Sequence, residues 1–268
     1  MTEFHDILFE KRDGVATITI NRPKVLNAFR AETVEEMLSA MRDAEDDRTI
    51  GVIVLAGAGD RAFCSGGDNS ARASGAEQEG GYGGRGLVGL PIEELHSAIR
   101  DSRKPVIAKV QGYAIGGGNV LATVCDLTIA SEKAVFGQVG PRVGSVDPGW
   151  GTAYLSRLVG EKRAREIWFL CRRYTAAEAY EMGLVNKVVP ADRLDAEVAA
   201  WCQEILALSP TAIAIAKRSF NADSENIRGI GALGLEALAL YYDTDEAQEG
   251  TTAFLEKRRP DFRAKRSR

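Results

Sequence analysis

The chain is predicted to fold as an α/β protein. Continuously apolar, strand-like runs at GVIVLAG (51–57), PVIAKVQGYAI (105–115) and DLTIASEKAVFG (126–137) alternate with helix-like stretches at 31–46, 92–101 and 117–124. From 149 onward helical patterns dominate. A chain of 268 residues with 45% apolar and 27% charged residues buries a sizeable core without staples, and that apolar content excludes disorder as the main state.

Each element has a local reason. Asp13-Gly14 between ILFEKR and VATITI is a tight-turn signal, which predicts an N-terminal β-hairpin. In 31–46, Val34, Met37, Leu38 and Met41 share one helical face. Residues 69–86 are rich in glycine, which disfavours regular structure, and are expected to form a mobile loop. A loop of that length in a compact domain serves more often as a lid than as an empty linker, with Tyr82 facing the ligand. Thr175 with Glu178 makes a capping box opening TAAEAYEMG. LDAEVAAWCQEILALSP predicts a long amphipathic helix and 226–242 a last one, while the basic tail EKRRPDFRAKRSR reads as a solvated end.

Several function classes fall away. A net charge of −4 gives no general basic field, so nucleic acid is not an expected partner. Cys64, Cys125, Cys171 and Cys202 match no zinc or redox spacing and read as buried free thiols of a reducing, cytoplasmic compartment. The two histidines leave no room for a histidine-based triad or a histidine-rich metal site, and His96 reads as a partly packed surface residue. No run approaches the ~20 apolar residues of a membrane span, and MTEFHDILFE lacks the features of a signal peptide.

Two glycine clusters follow strand-like runs: Ser65-Gly66-Gly67-Asp68 and Gly116-Gly117-Gly118. Neither fits a dinucleotide fingerprint or a phosphate loop. Taken alone they are tight turns, or a pair of backbone N–H donors for a carbonyl oxygen. AFCSGGD followed by QGYAIGGGNVLATVCDLTIAS, with INRPKVLNAF before and EKRRPDF after, resembles the crotonase superfamily of acyl-CoA enzymes. The resemblance implies a spiral of ββα units with a helical C-terminal part: residues 1–200 as the spiral core with the acyl-CoA site, 201–268 as a helical oligomerisation and lid region. It implies a homotrimer or homohexamer. The N–H groups of Gly67 and Gly117 would hold the thioester oxygen as an enolate. A CoA thioester is then the substrate, with no metal or organic redox cofactor.

The two glutamates of the familiar hydratases would fall at Val120 and Gly140, where neither residue can hold a proton. QVGPRVGSVDPGWG and LYYDTDEAQEG instead resemble the branch containing 1,4-dihydroxy-2-naphthoyl-CoA synthases and 2-ketocyclohexanecarboxyl-CoA hydrolases. Asn119 and the string GRGLVGLPIEELHSAIRD lean to the ring hydrolases, whereas Asn69 departs from the usual glutamine of both. The resemblance implies hydrolytic ring opening to pimeloyl-CoA: Asp147 activates water, Ser145 orients it, and Tyr242 binds the ketone oxygen or protonates the departing carbon. The alternatives are Claisen-type ring closure or another hydratase or isomerase activity. For CoA the family implies backbone carbonyls near Ser65 and Asp68, a path along Val25, Ala28 and Ala62, and Phe254 and Lys257 reaching a neighbouring subunit's ligand. Synthases with glycine at the position of Gly140 also resemble this chain at Gln138 and Trp168, and bicarbonate takes the missing carboxylate's place there. A bicarbonate- or chloride-sized site formed by Gln138, Gly140 and Trp168 is therefore expected.

Overall fold

The fold, that of a computed structural model, is described for residues 4–75 and 81–263. Strands β1 (Ile7–Arg12) and β2 (Val15–Ile20) pair as the expected hairpin. Asp13 and Gly14 both turn through positive φ, 50° and 83°, as a two-residue hairpin loop requires. Helix α1 (Ala31–Asp46) buries Val34, Met37, Leu38 and Met41.

The apolar runs that follow differ from the expectation in one respect: the second and third each break into two strands. They form β5 (Val106–Val110) with β6 (Tyr113–Ile115), and β7 (Leu127–Ser131) with β8 (Val135–Gly137), while β3 (Val52–Gly57) is followed by the short β4 (Ala62–Cys64). The break at Gly112 has φ 56°, and a Cβ there would lie 2.0 Å from the Arg61 carbonyl oxygen, so only glycine makes this corner. The first strand of each pair enters a six-stranded sheet ordered β1-β2-β3-β5-β7-β10, and the second enters a four-stranded sheet ordered β4-β6-β8-β9. Each turn of chain thus gives one strand to each sheet before a helical segment. This is the spiral that the resemblance implied.

Two short strands, β9 (Arg173–Thr175) and β10 (Lys187–Val189), lie in the part expected to be helical. They gain order from pairing with β8 and β7, which no local pattern reveals. The large sheet is covered on both faces, which is why its strands read as continuous apolar runs. One face packs against the main core. Val52, Val54, Ile107 and Ile129 on the other meet Val198 and Cys202 of α8 (Leu194–Leu206). Residue 200, the expected division of the chain, falls within that helix.

Between these elements lie α2 (Asn69–Gly75), α3 (Ile92–Asp101), α4 (Gly117–Val124), α5 (Leu155–Val159), α6 (Glu161–Leu170) and α7 (Ala176–Glu181), whose capping box forms as expected. Helices α9 (Pro210–Asp223), α10 (Asn226–Tyr242) and α11 (Asp245–Leu255) complete the C-terminal part. All four cysteines are buried and free. His96, expected near the surface, is only 2% exposed on the apolar face of α3, and burial pushes its imidazole down to about 3. The tail is tied down through 261: Glu249 takes a two-pronged bond from Arg258 (2.5 and 2.9 Å) and accepts the Asp261 N–H at 2.8 Å.

Candidate active site

Strands β4, β6 and β8 run parallel and adjacent, so their C-terminal ends open at one edge of the small sheet. Ser65-Gly66-Gly67 leaves β4, Gly116-Gly117 leaves β6, and the segment from Gln138 to Asp147 leaves β8. Three chain segments therefore converge on one open cleft, where ligands of such sheets are expected.

Its first wall is backbone. Phe29 N–H donates to the Gly66 carbonyl at 2.9 Å, and the Phe29 carbonyl accepts from Asp68 N–H at 2.8 Å. In this parallel bridge the N–H of Gly67, the residue between them, faces away from Phe29. Gly117 is the first residue of α4, so its N–H is one that a helix leaves unbonded. A Cβ on Gly117 would lie 2.5 Å from the Phe29 ring, and one on Gly66 would lie 2.9 Å from Gly117 N. The two N–H donors line one cleft because both loops are side-chain-free at their contact.

The second wall is made of side chains. Ser145 Oγ and the Tyr242 hydroxyl are hydrogen-bonded at 2.8 Å, joining the β8 segment to the end of α10. Asp147 lines the same cleft. Its desolvation raises the carboxyl to about 7, only partly offset by the Gly151 N–H donated to Oδ1 at 3.1 Å. A Cβ on Gly151 would meet both Asp147 Cβ (2.9 Å) and Val120 Cγ2 (3.0 Å), so Asp147 lies beside the buried Val120. Tyr82 stands against Gly67, with its hydroxyl 2.0 Å from where a Gly67 Cβ would be, and burial raises its phenol far above the usual range. Val88, Leu90, Ile92, Leu235 and Leu238 give the cleft an apolar side.

Gly67, Gly117, Ser145, Asp147, Tyr242, Ser65, Tyr82, Gln138, Gly140 and Trp168 thus share one cleft. The surroundings of these and the remaining expected residues differ. The Trp168 indole N–H donates to the Gly151 carbonyl, so it braces the turn that holds Asp147 and has no proton left for an anion. Gln138, 1% exposed, keeps an unpartnered amide nitrogen among the described residues. Ala28 and Ala62 are 6% and 1% exposed and so offer no surface for a CoA path, whereas Val25 is exposed beside Ser65. Asp68 pairs with Arg22 at 3.0 Å and caps α2 through the Ser70 N–H, and its carbonyl accepts the Arg72 N–H. That cap turns residues 69–75 into a helix rather than the start of a loop. Residues 82–89 are tied by Tyr82 N–H to the Val88 carbonyl and Gly84 N–H to the Gly89 carbonyl, and 76–80 lie outside the described residues. Phe254 and Lys257, expected to reach a neighbouring subunit's ligand rather than this cleft, lie at the end of α11 and just beyond it, where Phe254 is exposed.

Besides the apolar lining, a charged cleft residue escaped the sequence reading. Arg72 is 5% exposed and donates to the Val143 carbonyl (2.7 Å), the Gly144 carbonyl (3.2 Å) and Thr251 Oγ1. Its only trace in the sequence is a lone charge within a small-residue run.

The enoyl-CoA hydratase/isomerase family model matches residues 10–265. Similar solved structures include an enoyl-CoA hydratase from Mycobacterium avium subsp. paratuberculosis K-10, 31% identical over 97% of this chain and 99% of that one, with a TM-score of 0.84. An enoyl-CoA hydratase/isomerase from Xanthobacter autotrophicus Py2 is 32% identical, covering 95% and 93%, at 0.80. A carnitinyl-CoA hydratase from Mycobacterium avium is 30% identical, covering 97% and 99%, at 0.81. With the two-sheet spiral and the paired glycine loops, these matches show that the chain belongs to the enoyl-CoA hydratase/isomerase family of the crotonase superfamily, whose typical substrates are CoA thioesters.

Proposed function

We propose that this protein opens the ring of a 2-ketocyclohexanecarboxyl-CoA-type β-keto thioester by hydrolysis, giving pimeloyl-CoA. What supports the reading is the Ser145–Tyr242 hydroxyl pair beside an Asp147 carboxyl raised to about 7, in the same cleft as the two glycine N–H groups. Ionised Asp147 takes a proton from water, and the hydroxide oxygen bonds to the ring ketone carbon. The ketone oxygen, now an alkoxide, is held by the Ser145 and Tyr242 hydroxyls. When the C=O double bond re-forms, the adjacent ring C–C bond breaks, and its electron pair passes into a thioester enolate held by Gly67 and Gly117 N–H. One such donor is worth about 3–4 kcal/mol in a transition state. Tyr242 or protonated Asp147 then gives a proton to the enolate carbon. In this reading Ser65 contacts CoA at the rim. The active unit is a homotrimer or homohexamer, supported by the exposed Leu233, Leu240 and Phe254.

A second reading is addition of water to an enoyl thioester. It is favoured by a carboxyl near 7, suited both to taking and to giving a proton, and by relatives described as hydratases. Incubation with 2-ketocyclohexanecarboxyl-CoA separates the two. A product heavier by one water is expected; an unchanged ring thioester together with hydration of crotonyl-CoA overturns ring opening in favour of hydration.

A further inference from the structure

We infer that Arg72 is a positioning residue that seats Tyr242 and the Ser145 loop against each other, coupling the oxyanion loop to the side-chain wall. The inference rests on Tyr242 acting in the reaction proposed above. An arginine that is only 5% exposed must satisfy its guanidinium donors or destabilise the fold. Among the described residues Arg72 has no carboxylate partner within ion-pair distance; its bonds go to the carbonyls of Val143 and Gly144 and to the Thr251 hydroxyl. Its Cζ lies 4.7 Å from the centroid of the Tyr242 ring, so the cation also rests on the face of the phenol.

These partners belong to three separate segments. Val143 and Gly144 immediately precede Ser145, Tyr242 ends α10, and Thr251 lies on α11. The Gly144 loop and α11 touch backbone to backbone: a Cβ on Gly144 would lie 2.3 Å from the Ala247 carbonyl oxygen, and one on Gly250 2.3 Å from Gly144 N. Arg72 spans that seam with a planar fork. Its own place is set by Asp68, whose carbonyl takes the Arg72 N–H at 2.9 Å one helical turn after Gly67. The glycine wall and the Ser145–Tyr242 pair are therefore braced by one cation whose hydrogen bonds all go to protein groups of the second wall and α11.

A double-mutant cycle tests this. With 2-ketocyclohexanecarboxyl-CoA, Arg72→Gln is expected to lower kcat roughly 10²-fold, the cost of about 1 Å of misplacement, with KM little changed. In a Tyr242→Phe background the same change should cost far less, because the group it positions is gone. Arg72→Lys keeps the charge without the fork and should recover only part of the loss. Additive losses, or a change confined to KM, overturn the inference. Amide hydrogen exchange of the ligand-free protein gives a readout that needs no substrate. Arg72→Lys should speed exchange in 143–147 and in 242–251 together while α4 stays protected. Unchanged exchange in 143–147 overturns the clamp even if the ring thioester proves not to be a substrate, a result that would count against the proposed reaction alone.

Discussion

The two walls of the cleft are built by opposite means. The glycine wall uses backbone N–H groups fixed by a strand bridge at Phe29 and by the first turn of α4, and it depends on the absence of side chains. The opposite wall uses Ser145, Asp147 and Tyr242, contributed by a loop and by the end of α10 and braced through Arg72. In the proposed mechanism the first wall would stabilise any thioester enolate, so it speaks to the family and not to the reaction. In the proposed mechanism the second wall holds the groups that move protons, so the choice of reaction would be made there. It also carries a solvation cost that the first does not, because Asp147 is desolvated in the fold.

The largest effect should come from the second wall. Asp147→Asn keeps the shape and removes the base, so kcat should fall by roughly 10³-fold while acyl-CoA affinity stays close to wild type. In the wild-type protein, kcat/KM should rise as pH increases through about 7, where the carboxyl ionises. Steady-state kinetics against pH check both, and near-normal turnover of Asp147→Asn would remove it from the mechanism.

The first wall should follow. A methyl on Gly117 must displace the Phe29 ring, 2.5 Å from its Cβ, and so shift the N–H donor. Gly117→Ala should cost roughly 10²-fold in kcat, with part recovered when Phe29 is shortened to leucine. A loss seen only in KM would show that the glycine wall binds ground state and transition state alike.

Stability sharpens the contrast. The Asp147 carboxyl is raised from 3.8 to about 7, so the unfolded chain ionises first and this group lowers stability progressively from pH 4 to 7. Asp147→Asn should therefore melt higher at pH 8, by on the order of 2 kcal/mol after allowing for its partial contact with cleft water, and the gain should vanish near pH 4. Gly117→Ala should melt lower at both. The smallest effect concerns the anion. With the Trp168 N–H committed to Gly151, removing bicarbonate should leave turnover unchanged, and a rate restored by added bicarbonate would reinstate an anion beside Gln138.

Much of this was legible in the chain. The hairpin at Asp13-Gly14, α1, α4 and the Thr175–Glu178 cap rest on local rules, and all formed. Ser145, Asp147 and Tyr242 were named from a resemblance, and they share a cleft although Ser145 and Tyr242 are 97 residues apart. What stayed hidden depends on tertiary partners. β9 and β10 exist through the strands they join. His96 is buried by the packing of α3, and the Trp168 proton is taken by a carbonyl 17 residues away. Arg72 was missed because a glycine- and serine-rich segment reads as a loop until the Asp68 cap is seen.

The most direct test of the two-wall account is a single turnover of 2-ketocyclohexanecarboxyl-CoA in ¹⁸O-labelled deuterated water. The account predicts one ¹⁸O in the new carboxylate and one deuterium on the carbon next to the thioester, with both incorporations lost in Asp147→Asn. Label appearing as a hydroxyl on an otherwise intact CoA thioester, or ring opening that persists without Asp147, would contradict it.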